Sequence, residues 1–312
     1  MRRLMVPLDG SAFAESSLPY VVTLAQAPSP CAIDLVGVDV PPSPSAAGLT
    51  RGVVDVLREQ DAHEATRQLE LDHYLREMAA RLRTALPDVE VRTVIRHGNA
   101  VTELAAHAAD SDVAATVLTT HGRGGWDRVW FGSVTSELMR RLDKPVLAVR
   151  PAPVPRDYLP LAGAPLNTAL VAVDESLRPT ECLVALDTLL GHALDAITLV
   201  HVALTPPRAL GRVLESESRD AIALRSAREA SRLLSLVTSS HDGSRHRLSA
   251  IVREGADPAD SVLEYIDTHG AHLLTLATSS HTLVERLLFG SVADRLLQRA
   301  TVPVLFVHRS TS

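Results

Sequence analysis

Two segments of the chain repeat each other without a gap, at an offset of 158 residues. They cover residues 116–150 and 274–308, and 13 of their 35 paired positions are identical. The longest shared run, FGSV, occurs at residues 131–134 and returns at 289–292. A repeat of this kind indicates a tandem duplication, which restricts the chain to architectures built from two similar domains.

The length and composition agree with two domains. A chain of 312 residues is long enough for two separate cores. Hydrophobic residues make up 46% but aromatic residues only 3%, so the cores must consist of Leu, Val and Ala, which is typical of helices packed on a sheet. We predict a first domain over residues 1–150, a proline-rich linker over 151–165 and a second domain over 166–312.

Apolar runs and helical patterns alternate in the same order in both halves. The first half begins with an apolar run at residues 4–8, an acidic turn at Asp9 and a helical pattern to about residue 25, and the second half repeats this from residue 169. Each half then continues as β-α-β-α-β-α-β-α-β. The pattern predicts an α/β fold with two doubly wound domains, each a five-stranded parallel sheet of order 3-2-1-4-5 with helices on both faces.

Charge and composition exclude several classes of function. A net charge of -6 with a pI near 6.1 argues against nonspecific nucleic-acid binding, which requires basic patches. No apolar run reaches about 18 residues, and the apolar stretch at the start is too short for a signal peptide, so no membrane association is expected. Cys31 and Cys182 are far apart in sequence, which favours a reduced, cytoplasmic setting.

The histidines do not indicate a metal site. Thirteen are present, and His269 with His272, or His241 with His246, have the closest spacing to ligand pairs. Neither pair is completed by a cysteine or carboxylate in a known pattern, so no resident metal is expected.

The loop from Thr119 to Gly132, which follows the fourth strand, has features of a phosphate-binding site. In a sheet of order 3-2-1-4-5, strands 1 and 4 flank the point where the strand order reverses, so Asp9 should lie beside this loop. Gly132-Ser133 precedes a helical pattern, and the free amides of a helix N-terminus favour an anion. Ser133 and Thr135 add hydroxyls, while Arg123 or Arg128 could add charge. The alternative is a tight turn with glycines for geometry and Ser133 as a simple N-cap.

At these residues the sequence resembles the universal stress protein family, and the resemblance covers nearly the whole chain. The family's ATP-binding pattern is G-x2-G-x9-G-[ST]; here the pattern reads Thr119-x2-Gly122-x9-Gly132-Ser133, with threonine in place of the first glycine. The resemblance implies that Asp9 holds the adenosine part of ATP and that Val38 lines the adenine pocket. The full set of cofactor-binding residues assigned on this basis is Pro7, Asp9, Val38, Thr119, Gly122, Arg123, Gly132, Ser133, Val134 and Thr135.

The second half keeps less of the pattern, so its site is expected to be weaker or silent. Ala277 and Ser280 stand where the family has its first two glycines, and Ala293 replaces Thr135. A side chain at position 280 could block close approach of a ligand. The residues assigned to this second site are Asp174, Val202, Ala277, Ser280, Gly290, Ser291 and Val292.

Three functions remain open from the sequence. The first is an adenine-nucleotide-binding stress or signalling protein with absent or very slow hydrolysis, because no Walker lysine and no PP-loop are found. The second is a weak ATPase or adenylating enzyme, in which Asp9 and Asp127 could assist Mg²⁺. The third is a ligand-free interaction protein.

The last strands of the two halves, at residues 145–149 and 303–307, are apolar and would lie at sheet edges that need covering. The resemblance implies that these strands pair between domains, giving an internal pseudo-dimer of the two halves. The sequence alone leaves open whether whole chains also form a homodimer.

Overall fold

The structure is a computed structural model that describes residues 2–27, 31–41, 53–120, 133–151, 161–173, 179–204, 224, 228–233, 235, 246–278 and 291–308. Its contacts divide the chain into two compact units. The first unit comprises Met1–Gln26, Pro30–Leu142 and Pro151–Gly163, and the second comprises Ala27–Ser29, Asp143–Arg150 and Ala164–Ser312.

The first unit has four strands and four helices in alternation. In chain order they are β1 (Arg2–Pro7), α1 (Leu18–Ala25), β2 (Cys31–Asp39), α2 (Val53–Ala85), β3 (Glu90–His97), α3 (Ala100–Ala108), β4 (Val113–Thr119) and α4 (Ser133–Arg141). A short 3-10 turn at Ala14–Ser17 precedes α1. The described part of α2 begins at Val53 and ends at Ala85.

The strands of the first unit are parallel and follow the order β3-β2-β1-β4. The order places β1 and β4 side by side, as the sequence predicts. Nearly all residues of β1, β2 and β4 are buried or half-buried, which explains their continuous apolar character: helices cover both faces of such a sheet. β3 forms the edge of this unit and alternates more between buried and exposed positions.

A buried polar cluster ties β2 to α3 in the first unit. His107 Nε2 lies 2.9 Å from Asp34 Oδ2, and Arg3 Nη1 donates to the same oxygen at 2.9 Å. Arg96 Nη2 lies 3.2 Å from His107 Nδ1, so Nδ1 accepts and Nε2 carries the proton that reaches Asp34. Burial alone would raise the pKa of the Asp34 carboxyl, but the hydrogen bonds from His107 and Arg3 outweigh it and hold that pKa below its ordinary value.

The second unit also combines strands with helices. Its elements are β5 (Val146–Val149), β6 (Thr168–Val173), α5 (Pro179–Leu189), β7 (Ala196–Leu204), β8 (Arg247–Gly255), α6 (Pro258–His269), β9 (Leu273–Thr278), α7 (Ser291–Arg299) and β10 (Val304–His308). No complete helix is described between β7 and β8. β8, β7, β6, β9 and β10 follow one another as parallel neighbours. They are the five strands of the second repeat, and their order is the predicted 3-2-1-4-5.

The last strand of the first repeat, β5, groups with the second unit. It pairs antiparallel with β10, with Leu147 opposite Leu305 and Val146 opposite Phe306. All four residues of β5 are buried. Strand β10 is thus paired on both sides, with β9 and with β5. The apolar strand edge that the sequence predicts there is therefore covered.

The described helices include none that could span a membrane, because none combines sufficient length with sufficient apolar character. The sequence of about residues 216–237 has a helical pattern, but most of these residues lie outside the described ones. Those that are described there, at 224, 228–233 and 235, are helical.

Candidate functional site

The carboxyl ends of β2, β1 and β4 meet at one edge of the first unit's sheet. Pro7 lies opposite Val36, and Met5 lies opposite Thr116. Continuing these registers brings Asp9 level with Val38 on one side and with the residue after Thr119 on the other. Pro7 and Val38 are half-buried here, and Thr119 is buried. Pro7, Asp9, Val38 and Thr119, four of the residues assigned to the nucleotide, therefore lie at neighbouring strand ends.

The turn after β1 exposes the Asp9 carboxylate at this edge. Gly10, directly after this acidic residue, has a φ of 83°, a left-handed conformation that favours glycine. The Ser11 amide donates to Asp9 Oδ1 at 3.0 Å, and the Ser11 hydroxyl donates to the same oxygen. Both bonds use Oδ1, and the Asp9 side chain is exposed at this edge.

A buried ion pair fixes the segment that follows this turn. Glu15 lies in the 3-10 turn, and its Oε2 is 3.4 Å from Arg81 Nη1 on α2. Both side chains are buried, at 1% and 6% exposure. Removing either partner of such a pair would leave a buried charge uncompensated, so the turn is held firmly against α2.

The first turn of α4 is attached to the end of β4. The Thr135 hydroxyl donates to the Thr119 carbonyl oxygen at 3.2 Å. α4 begins at Ser133 and has no acidic residue in its first turn, while Arg140 and Arg141 lie in its last turn. This charge distribution leaves the positive N-terminal end of the helix dipole available to an anion. Val134 is exposed beside it.

The Thr135 contact gives a testable prediction. Thr135→Val keeps the side-chain shape but removes the bond to Thr119, so the free energy of unfolding should fall by about 1 kcal/mol. Affinity for nucleotide should fall with it, because the helix end loses its attachment to the strand. Urea unfolding and calorimetric titration with ATP measure the two effects. Thr135→Ser, which keeps the hydroxyl, is the control and should stay close to the unaltered protein in both.

The corresponding edge of the second unit carries a smaller set of the predicted residues. Ala172 lies opposite Leu276 and Val173 opposite His201, so Ala277 and Val202 follow at the carboxyl ends of their strands. Both are half-buried. Ser291 begins α7 and Val292 follows it, as Ser133 and Val134 do in α4.

Two charged residues distinguish α7 from α4, and the sequence analysis missed both. Asp294 lies in the first turn of α7, where α4 has Ser136, so the helix dipole already faces a negative charge. Arg295 donates from Nε to the Ser291 carbonyl oxygen at 3.2 Å and pairs with Asp257, the N-cap of α6. That contact lowers the pKa of Asp257. A direct comparison of the two helix starts would have revealed the difference.

Several predicted site residues lie outside the described residues: Gly122, Arg123, Asp127, Arg128, Gly132, Asp174, Ser280 and Gly290. The hydroxyl role assigned to Ser133 also stays a prediction, because only its backbone is described. The described residues therefore fix the strand ends and the two helix starts on which the remaining assignments depend.

Comparisons with known proteins agree on one family. The sequence profile of the universal stress protein family matches residues 1–150 and 166–308. A universal stress protein from Methanocaldococcus jannaschii is 38% identical over 52 residues, which span 17% of this chain and 31% of that protein. The match therefore covers about a third of that relative's length.

Two solved structures have the same overall fold. A universal stress protein from Archaeoglobus fulgidus matches with a TM-score of 0.64 at 14% identity, over 99% of this chain and 97% of its own. A Pseudomonas aeruginosa protein assigned provisionally to the family matches with a TM-score of 0.53 at 15% identity, over 99% and 93%. Together with the two profile matches, these likenesses account for the repeat: the chain belongs to the universal stress protein family and carries two copies of its domain in tandem.

Proposed function

We propose that the first unit binds an adenine nucleotide, with ATP as the preferred ligand. The observation that carries the proposal is the convergence of Asp9, Val38 and the start of α4 at the carboxyl ends of adjacent strands. In sheets of this type, ligands bind at the point where the strand order reverses. An acidic residue there suits the ribose or base, and a helix N-terminus suits the phosphates.

The second unit is proposed to bind nucleotide weakly or not at all. Asp294 places a negative charge in the first turn of α7, where a phosphate would otherwise be stabilised. Arg295, which could have attracted an anion, is already paired with Asp257. Ala293 also removes the hydroxyl that Thr135 contributes in α4. These differences favour a structural or regulatory role for the second unit.

The bound nucleotide is proposed to act as a signal rather than as a substrate. Neither sequence motifs nor the described residues of the first unit offer a lysine and base arranged for phosphoryl transfer beside Asp9. Hydrolysis should be absent or very slow, and a stress or signalling role through changed conformation or partner choice fits this best. Mg²⁺ would accompany the triphosphate as it does in solution. Free, buried thiols at Cys31 and Cys182 are compatible with a cytoplasmic location.

Nucleotide measurement tests the proposal. Denatured, freshly purified protein should release adenine nucleotide detectable by mass spectrometry, and calorimetric titration with ATP should give one strong site per chain. Protein that contains no nucleotide and has no affinity for ATP would instead favour a ligand-free interaction protein. Steady phosphate release at the 1 s⁻¹ or more that is typical of enzymes, lost in Asp9→Asn, would favour the enzymatic alternative.

A further inference from the structure

Three potential metal ligands from separate elements meet at the far end of β2 in the first unit. Asp39 is the last residue of β2, His97 is the last residue of β3, and the two lie opposite each other in the register. Glu64 comes from α2, which crosses above them. One ligand atom of each residue lies within 4.8 Å of the other two.

The distance between the ligand atoms of His97 and Asp39 fits two ligands of one metal ion. His97 Nδ1 is 3.6 Å from Asp39 Oδ2, which is too long for a hydrogen bond. Two ligands at about 2.0–2.1 Å from one tetrahedral Zn²⁺ would be separated by about 3.4 Å. The His97 imidazole makes no hydrogen bond to any of the described residues. The spacing therefore suits a shared cation with almost no movement of the two strand ends.

Asp39 is held in place for such a role. Its side chain is only 6% exposed, and Arg67 Nε contacts the other carboxylate oxygen, Oδ1, at 3.2 Å. This contact fixes the carboxylate without occupying Oδ2, as outer partners of metal ligands commonly do. The adjacent Gln68 donates from Nε2 to Asp39 Oδ2 at 3.5 Å and to Glu64 Oε1 at 3.3 Å, which keeps the two carboxylates close together; a bound cation would replace this weak bond to Oδ2.

The charges also favour a cation. Two carboxylates and one arginine leave a net charge of about −1 when His97 is neutral, so a divalent ion relieves the repulsion that Arg67 only partly offsets. Glu64 and His97 are exposed and can each adjust by the ångström or so that a metal requires. The position is accessible from solvent, because two of its three ligands are.

We propose that Asp39, Glu64 and His97 form a binding site for a divalent transition metal, with Zn²⁺ as the best fit. One imidazole and two carboxylates suit zinc, with water at the fourth position. Mg²⁺ and Ca²⁺ prefer oxygen ligands alone, so they should compete poorly. Binding would join the ends of β2 and β3 to α2.

The site belongs to the first repeat alone. In the second unit, Ala203 and Glu254 lie opposite each other at the corresponding place on β7 and β8. The alanine side chain has no atom that binds a metal, so we expect no metal site at this place in the second unit. The proposal is also separate from nucleotide binding, because Val38 and Asp39 are consecutive strand residues and their side chains point to opposite faces of the sheet.

Zinc titration of the full chain tests the site. After treatment with EDTA, calorimetry should detect one zinc site per chain whose affinity falls at least tenfold in His97→Asn. His97 is 56% exposed, so this variant should fold normally. His269→Asn changes an exposed histidine on α6 and should leave zinc binding unaltered. Zinc should also raise the melting temperature of the unaltered protein but not that of His97→Asn.

Three results would overturn the proposal. These are the absence of zinc binding by the unaltered chain, equal zinc affinity in His97→Asn, and displacement of zinc by Mg²⁺ at similar concentration. Asp39→Asn provides a second variant, and it should lose the same site. ATP affinity measured in His97→Asn should equal that of the unaltered protein, so the zinc result and the nucleotide result can fail independently.

Discussion

Gly132→Val is expected to lower the affinity of the chain for ATP by about a hundredfold or more, which corresponds to roughly 2.8 kcal/mol of binding free energy. Gly132 directly precedes Ser133, the first residue of α4. The free amides at a helix start bind a phosphate only if it can approach the backbone closely. A branched side chain at the residue before the helix would occupy that approach.

The fold should survive this substitution. α4 packs through Leu138 and Met139, which are buried, and neither lies near its first residue. Circular dichroism and the urea midpoint should therefore match those of the unaltered protein, so that a loss of binding can be assigned to the site itself.

Gly290→Val is the matched control, because Gly290 precedes Ser291 at the start of α7 in the same way. It should change ATP affinity by less than about threefold, which is under 1 kcal/mol. Unchanged affinity in Gly132→Val would remove the site from α4. Equal losses in the two variants would contradict the functional difference between the repeats.

The difference between the repeats depends on side chains that the loop pattern does not include. The motif spacing identified Gly132, Ser133 and the glycines before them as candidate phosphate contacts. It also showed that the second copy lacks several of these residues. It did not include position 294, where an aspartate meets the positive end of α7. Nor could it show that Thr135 bonds to Thr119, because that contact joins residues 16 positions apart through the packing of α4 on β4.

The order of the strands was predictable because apolar runs and helical patterns alternate so regularly. Parallel strands with right-handed crossovers leave few possible arrangements, and the order 3-2-1-4-5 is one of them. The cluster of Asp39, Glu64 and His97 was not predictable in the same way. Its members are separated by 25 and 33 residues in sequence, and the packing of α2 on the sheet brings Glu64 within 4.8 Å of the other two.

The pairing of β5 with β10 shows how far the two repeats depend on each other for a complete sheet. β5 is encoded by the first repeat, yet it belongs to the second compact unit. Without it, the β10 edge would present unpaired backbone groups beside the apolar Phe306, a combination that promotes association between chains. The internal pseudo-dimer expected from the family resemblance is thus a proposal with a direct thermodynamic test.

We expect a fragment of residues 164–312, which lacks β5, to be less stable than a fragment of residues 143–312 by several kcal/mol. Val146, Leu147 and Val149 are each at most 2% exposed, and burial of one such side chain contributes about 1.5–3 kcal/mol. Urea unfolding of the two fragments gives the difference in free energy. Light scattering should find the shorter fragment dimeric or aggregated through its open β10 edge.

Leu147→Asp in the longer fragment is the sharper form of this test, because it leaves the length of the chain unchanged. Leu147 lies opposite Leu305 in the pairing, and a carboxylate buried there has no partner among the facing residues of β10. The variant should therefore resemble the shorter fragment in stability and association. Equal urea midpoints and monomeric behaviour in all three proteins would mean that β5 adds nothing to the second unit, and the internal pairing of the repeats would have to be abandoned.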